Sequence, residues 1–98
     1  MAQFMVDITL PKDPNAEFFA LVPLQRAHTQ KLLEEGIVTG YSLSLDRSKL
    51  WVTMNTENKH EAMKILTAFP LINYFDLNIH PLAFHHTSLM SLIKVSMN

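Results

Sequence analysis

The chain has no cysteine among its 98 residues. Disulfides, thiolate nucleophiles and cysteine-ligated zinc are therefore excluded. Charge is also sparse, with 17% of residues charged and a formal net charge of −1. No basic stripe runs along the sequence, so nucleic acid is not an expected partner. No apolar run approaches the roughly 20 residues of a membrane span, so no membrane association is expected either. The opening residues, Met1 to Asp7, carry no basic region and meet an acid at once, unlike a secretory signal. The expectation is a cytoplasmic protein. Internal repeats and low-complexity segments are missing as well.

What the chain does have is apolar surface. Apolar residues make up 48% of it, too many for a disordered chain and too many for so little charge on a small solvated monomer. The length fits one domain. The excess of apolar over charged residues predicts that part of the surface is covered by another copy, in a homodimer or a higher homo-oligomer.

Periodicity divides the chain. Residues 3–10 alternate as a strand, with Phe4, Val6, Ile8 and Leu10 on one side and Met5, Asp7 and Thr9 on the other. Asp13 before Pro14 reads as a helix start, and Gly36 as the stop of a helix from Pro14 to Glu35. Pro23 falls inside and is expected to kink or divide that helix. At 100° per residue, Leu21, Leu24, Gln25, His28 and Leu32 share its core face. Residues 37–45 and 49–55 read as a hairpin turned at Asp46-Arg47-Ser48, with Gly40 marking a bulge or a close approach. A second helix runs from Lys59 to Phe69, capped by Asn58 with Glu61 three residues on, and Pro70 ends it. The last strand places Phe75, Leu77 and Ile79 on one face and Tyr74, Asp76, Asn78 and His80 on the other. Pro81 confines that strand to an edge or a bulge.

The order strand, helix, strand, strand, helix, strand is the ferredoxin-like, or split βαβ, pattern: an α+β fold with a four-stranded antiparallel sheet and both helices on one face. The bare face then carries Met5, Asp7, Thr9, Trp51, Thr53, Tyr74, Asp76 and His80. Trp51 and Met5 on such a face predict a second sheet packed against it, in a dimeric α+β barrel. Residues 1–84 form the domain. Residues 85–98 form an apolar tail that packs on its own subunit or on a neighbour.

One stretch carries a resemblance. Phe69-Pro70-Leu71, then Tyr74-x-Asp76, then Leu82 and His85 before Thr87-Ser88, resemble the muconolactone isomerases and their relatives. Thr9-Leu10-Pro11 and Glu35-Gly36 add weaker support. The resemblance implies a ferredoxin-like fold that associates through its sheets. It also implies a reaction that moves a proton between carbons of a small unsaturated lactone bearing a carboxylate, with no metal or organic cofactor. Isomerases of that family have an acid and a lysine near the end of the first helix. Counting back from Gly36, the matching positions are Gln25 and Arg26, and neither residue exchanges a proton near neutrality. The family's second strand also brings in an arginine, whereas Tyr41 to Leu45 contain none.

The candidate site follows from these faces. A proton shift next to a carbonyl needs a base titrating near neutrality and a donor for the enolate oxygen. His28 is the candidate base and Asp7 its orienting partner, or itself the base. Arg26 is placed to hold a carboxylate, and Tyr41, Ser42 and Tyr74 to donate to an oxygen. Gln25 and Trp51 complete the expected ligand-binding set. Against this stands a plain structural role: a core histidine bonded to a carbonyl, and Asp7 and Asp76 as ordinary hydrogen-bonded strand residues. His80, His85 and His86 do not make a convincing metal site, because adjacent residues on an extended chain point apart. Two functions remain open: a cofactor-free isomerase of small unsaturated lactones or carboxylates, or a non-catalytic binding or oligomerisation module of the same fold.

Overall fold

Strand β1 (Ala2–Thr9) lies inside the sheet because both of its faces suit that place. Phe4, Val6 and Ile8 are buried on one side, and Met5, Asp7 and Thr9 alternate with them on the other. It pairs antiparallel with β3 (Lys49–Thr56), where Val6 faces Val52 and Ile8 faces Leu50. On its other side it pairs with β4 (Asp76–Pro81), where Val6 faces Ile79 and Ile8 faces Leu77. Strand β2 (Val38–Leu43) completes the sheet against β3, in the order β2-β3-β1-β4. The computed structural model describes residues 1–85. The expected role of residues 86–98, with His86 and Thr87-Ser88, lies outside the described residues.

The βαββαβ order is as the periodicity predicts. The barrel is not. The sheet stays open, with β2 and β4 as its two edges and no pairing between them. Four strands cannot curl far enough to close on themselves, since small closed barrels need about eight. The expectation of a dimeric α+β barrel is therefore corrected to an open four-stranded sheet, not closed into a barrel. Pro81 ends β4 on an edge, where its missing N–H breaks no central ladder. The register shift between Val38 and Gly40 is the bulge that Gly40 signals. There the Thr53 hydroxyl donates to the Gly40 carbonyl at 3.2 Å and accepts from the Thr39 hydroxyl at 2.9 Å. A Cβ on residue 40 would stand 3.3 Å from that same oxygen.

Helix α1 (Ala16–Glu34) starts two residues later than Asp13-Pro14 suggests. Asn15 is the cap, and its side chain accepts from the Phe18 amide at 2.9 Å. Pro23 neither stops nor divides the helix. The buried stripe is Gln25, Thr29 and Leu32; Leu24, expected inside, is 59% exposed. Helix α2 (Lys59–Thr67) is capped as expected, with Asn58 accepting from the Glu61 amide at 2.8 Å. A single 3-10 turn at Ile72–Tyr74 leads into β4. The core lies between the helices and one sheet face: Phe4, Val6, Ile8, Val38, Val52 and Met54 meet Leu32, Ala62, Leu66 and Phe69. Each of these side chains apart from Ala62, fully buried, contributes about 1.5–3 kcal/mol.

Gly36 ends α1 in the left-handed region, at φ 76°. Its amide bonds to the Leu33 carbonyl at 3.1 Å, and the Ile37 amide to the Leu32 carbonyl at 3.0 Å. This paired closure satisfies two carbonyls that the helix end would otherwise strand. Space around Gly36 is open, so only the backbone opposes a side chain there. Gly36→Ala is expected to lower stability by about 1 kcal/mol, read as a smaller urea midpoint at unchanged slope.

Candidate functional site

A concavity of about 920 Å³ opens between α1 and the β2–β3 hairpin. Phe18, Phe19 and Val22 wall it from the helix, Leu43, Leu50 and Val52 from the sheet, and Phe69, Leu71 and Phe75 from the connection into β4. The polar groups on this lining are few: Gln25, Arg26, Thr29 and Gln30 on α1, Tyr41 on β2 and Arg47 in the hairpin turn. A mostly apolar cleft with a handful of polar groups is the ordinary form of a small-molecule site.

Gln25 anchors the floor. Its Oε1 accepts from the Leu71 amide at 3.1 Å, and its Nε2 donates to the Thr29 hydroxyl at 3.1 Å. That hydroxyl in turn donates to the Gln25 carbonyl at 2.9 Å. One buried amide thus fastens α1 to the corner formed by Phe69-Pro70-Leu71. This explains why those three residues are so distinctive in the sequence: they form the corner that the helix grips.

The structure divides the expected site residues between two surfaces. Gln25, Arg26 and Tyr41 line the cleft. Ser42 and Trp51 are paired neighbours on the other face of the sheet, where a shallower depression of about 370 Å³ is lined by Met5, Thr39, Gly40, Tyr41, Ser42, Trp51, Thr53 and His85. Among the described residues only Tyr41, on the edge strand, lines both. Asp7 also lies on that bare face. It forms an ion pair with Lys49 at 3.2 Å, and Lys49 donates to the Thr9 hydroxyl at 2.9 Å as well. His28 sits on the helical side, its ring edge-on to Phe69 with centroids 5.5 Å apart. Its Nε2 is buried without a hydrogen-bond partner among the described residues. A sheet stands between Asp7 and His28, and the structure does not bring them together. His28 also stands about 160° around the helix from Arg26, on the flank away from the cleft.

Tyr74 belongs to the helical side rather than the bare face. Its hydroxyl donates to Glu17 at 3.1 Å, and its ring meets Phe18 edge-on at 5.5 Å. Partial burial and the Glu17 carboxylate raise its pKa above that of an ordinary phenol, so it remains a donor. It holds the first turn of α1, whose Phe18 lines the cleft.

Arg47 is the site residue that periodicity misses. It sits in the turn Asp46-Arg47-Ser48, where no alternation exists to assign it a face. Asp46 braces that turn, its Oδ1 accepting from the Ser44 hydroxyl at 2.8 Å, the Ser48 amide at 3.0 Å and the Ser48 hydroxyl at 2.7 Å. These bonds, the Ser48 hydroxyl foremost, push the Asp46 carboxyl down to about 2. Among the described residues no three His, Asp or Glu side chains group as metal ligands, and no helix is long and apolar enough to cross a membrane.

Comparison with known proteins places this geometry. Residues 3–88 match the family model for muconolactone delta-isomerase. A solved structure of a muconolactone isomerase superposes with a TM-score of 0.71 at 22% identity, covering 89% of this chain and 94% of that one. A second is 5-chloro-2-hydroxyhydroquinone dehydrochlorinase from Burkholderia phenoliruptrix AC1100, in complex with 2,5-dihydroxybenzoquinone. Its TM-score is 0.59 at 13% identity, covering 87% of this chain and 95% of that one. At these identities the superpositions establish the fold. No curated protein sequence matches the chain.

Two outcomes follow from the buried amide and the turn. Gln25→Ala leaves the Leu71 amide without its acceptor and is expected to cost about 1–3 kcal/mol, read by urea unfolding. Asp46 titrates lower in the folded chain than in the unfolded one. Its stabilising effect is therefore complete above the ordinary carboxylate range and is lost as pH falls toward about 2. The stability difference between wild type and Asp46→Asn is expected to be constant above about pH 5 and to change progressively below it.

Proposed function

The chain belongs to the muconolactone delta-isomerase family, and on that premise we propose that the cleft beneath α1 binds a small unsaturated lactone or carboxylate. The observation that carries this is the lining itself: apolar and aromatic walls around a ligand-sized space, with guanidinium groups and no carboxylate among the lining residues. The walls fit a planar unsaturated skeleton. Arg26, exposed at the rim and in no ion pair among the described residues, meets a ligand carboxylate, and Tyr41 donates to a ring oxygen. Gln25 shapes the floor through its own hydrogen bonds.

Turnover is a separate matter from binding. The family's proton shift needs a base of suitable pKa within reach of the substrate carbon. No imidazole or carboxylate lines the cleft among the described residues. His28 packs on Phe69 from the other flank, and Asp7 is engaged by Lys49 on the far side of the sheet. This lining favours a second reading, in which the chain holds the ligand of an isomerase without the base that converts it. As an isomerase, it draws that base from His28 after a rearrangement at Phe69, or from a further copy of the chain in a homo-oligomer.

Incubation of muconolactone in deuterium oxide separates these readings. The binder is expected to raise its melting temperature with muconolactone while incorporating no deuterium. Exchange above the uncatalysed rate in wild type, abolished in His28→Ala, establishes the isomerase with His28 as its base. Exchange that survives in His28→Ala with a rate per molecule that rises with protein concentration places the base on another copy.

A further inference from the structure

The deepest departure from sequence economy in this chain is at Arg47. It is the one non-glycine residue with a positive φ among the described residues, at 63°. Glycine takes this conformation freely, and asparagine tolerates it, but a long side chain adopts it only under constraint. The chain follows that rule elsewhere, for Gly36 occupies the same region at the end of α1. At the hairpin turn it keeps an arginine instead.

The constraint is supplied by Asp46. Its three accepted bonds, together with the Arg47 amide donating to the Ser44 carbonyl at 2.9 Å, over-determine the turn and hold residue 47 where it is. The outcome is an arginine lining the cleft from the hairpin side, while Arg26 lines it from the helix side. Neither is in an ion pair among the described residues, and no acid lines the cleft to neutralise them. Strained backbone maintained by surrounding bonds is characteristic of ligand clamps.

We propose that Arg47 is the residue that makes this cleft select an anionic ligand over its neutral analogue, with Asp46 as its positioning residue. The proposal rests on the reading of the cleft as a lactone or carboxylate site. Arg26 approaches on a helix, with a fixed backbone. Arg47 approaches on a turn whose geometry Asp46 sets, so its guanidinium is the one that the hairpin aims. A carboxylate entering between them exchanges water for two charged donors against apolar walls, where such bonds are stronger than in bulk solvent. A neutral ester of the same skeleton gains the walls but not the charge.

The test compares muconolactone with its methyl ester, by calorimetric titration of the full chain, in wild type, Arg47→Gly and Arg47→Asn. Wild type is expected to bind the acid more tightly than the ester. Both variants are expected to lose about tenfold to hundredfold in affinity for the acid, with little change for the ester. Neither variant is expected to lower the melting temperature, because both residues suit a positive φ. An acid-over-ester preference that survives in both folded variants overturns the role of Arg47 and leaves the cleft reading standing. A wild type that binds neither compound overturns both.

Discussion

The side-chain amide of Gln25 is the contact on which the arrangement of this molecule most depends. It is buried, it uses its acceptor on the Leu71 amide and its donor on the Thr29 hydroxyl, and it ties α1 to the chain leaving α2 inside the protein, where the Tyr74–Glu17 bond does so at the surface. Buried polar groups are costly when unpaired and specific when paired. An apolar residue here would allow α1 to slide over the sheet; an amide with both ends engaged fixes its height and rotation. The position of the helix sets the width of the cleft, and the position of Leu71 sets its floor. Fold and site are thus joined at one residue rather than by the core as a whole.

Much of this was legible in the sequence because the strands alternate cleanly. Phe4, Val6 and Ile8 name the core face of β1, and the same rule puts Asp7 opposite them. Applied strictly, that rule already separates Asp7 from any side chain of a helix covering the core face. His28 lies on such a helix, so their pairing conflicted with the faces that proposed them. The helix itself was read less well. A wheel drawn through Leu21, Leu24 and His28 assumes a symmetric stripe, but the cleft draws the buried line toward Thr29 and leaves Leu24 in solvent. Gln25 and Thr29 look polar in sequence and become core only because they bond to each other. The closed barrel was inferred from apolar residues on the bare face, and exposure of this kind says nothing about how a sheet's edges are disposed. Arg47 escaped notice because a turn has no period. Its only signal was chemical: an arginine where Asp46 and Ser48 made a glycine or asparagine the easier choice.

The charges of the molecule are sorted by face. Lys49 satisfies Asp7 on the bare side of the sheet. Arg26 and Arg47 stand on the cleft side with no counter-charge among the described residues. In a chain of net charge −1, two unpaired guanidinium groups around one apolar space are not an average property of the surface.

Position 25 also shows why binding and turnover need not travel together. A carboxylate there, as the resemblance implies for true isomerases, could still accept from the Leu71 amide. It could not donate to the Thr29 hydroxyl, since an ionised carboxylate only accepts. Such an acid would hold the corner with one bond fewer, and its second oxygen would be available to a substrate. The amide makes the opposite choice. Both of its ends are committed to structure, and it has no proton to exchange near neutrality. A single oxygen-for-nitrogen difference therefore commits the floor to structure and anchors it better, while the apolar walls and the two arginines that line the cleft stay as they are.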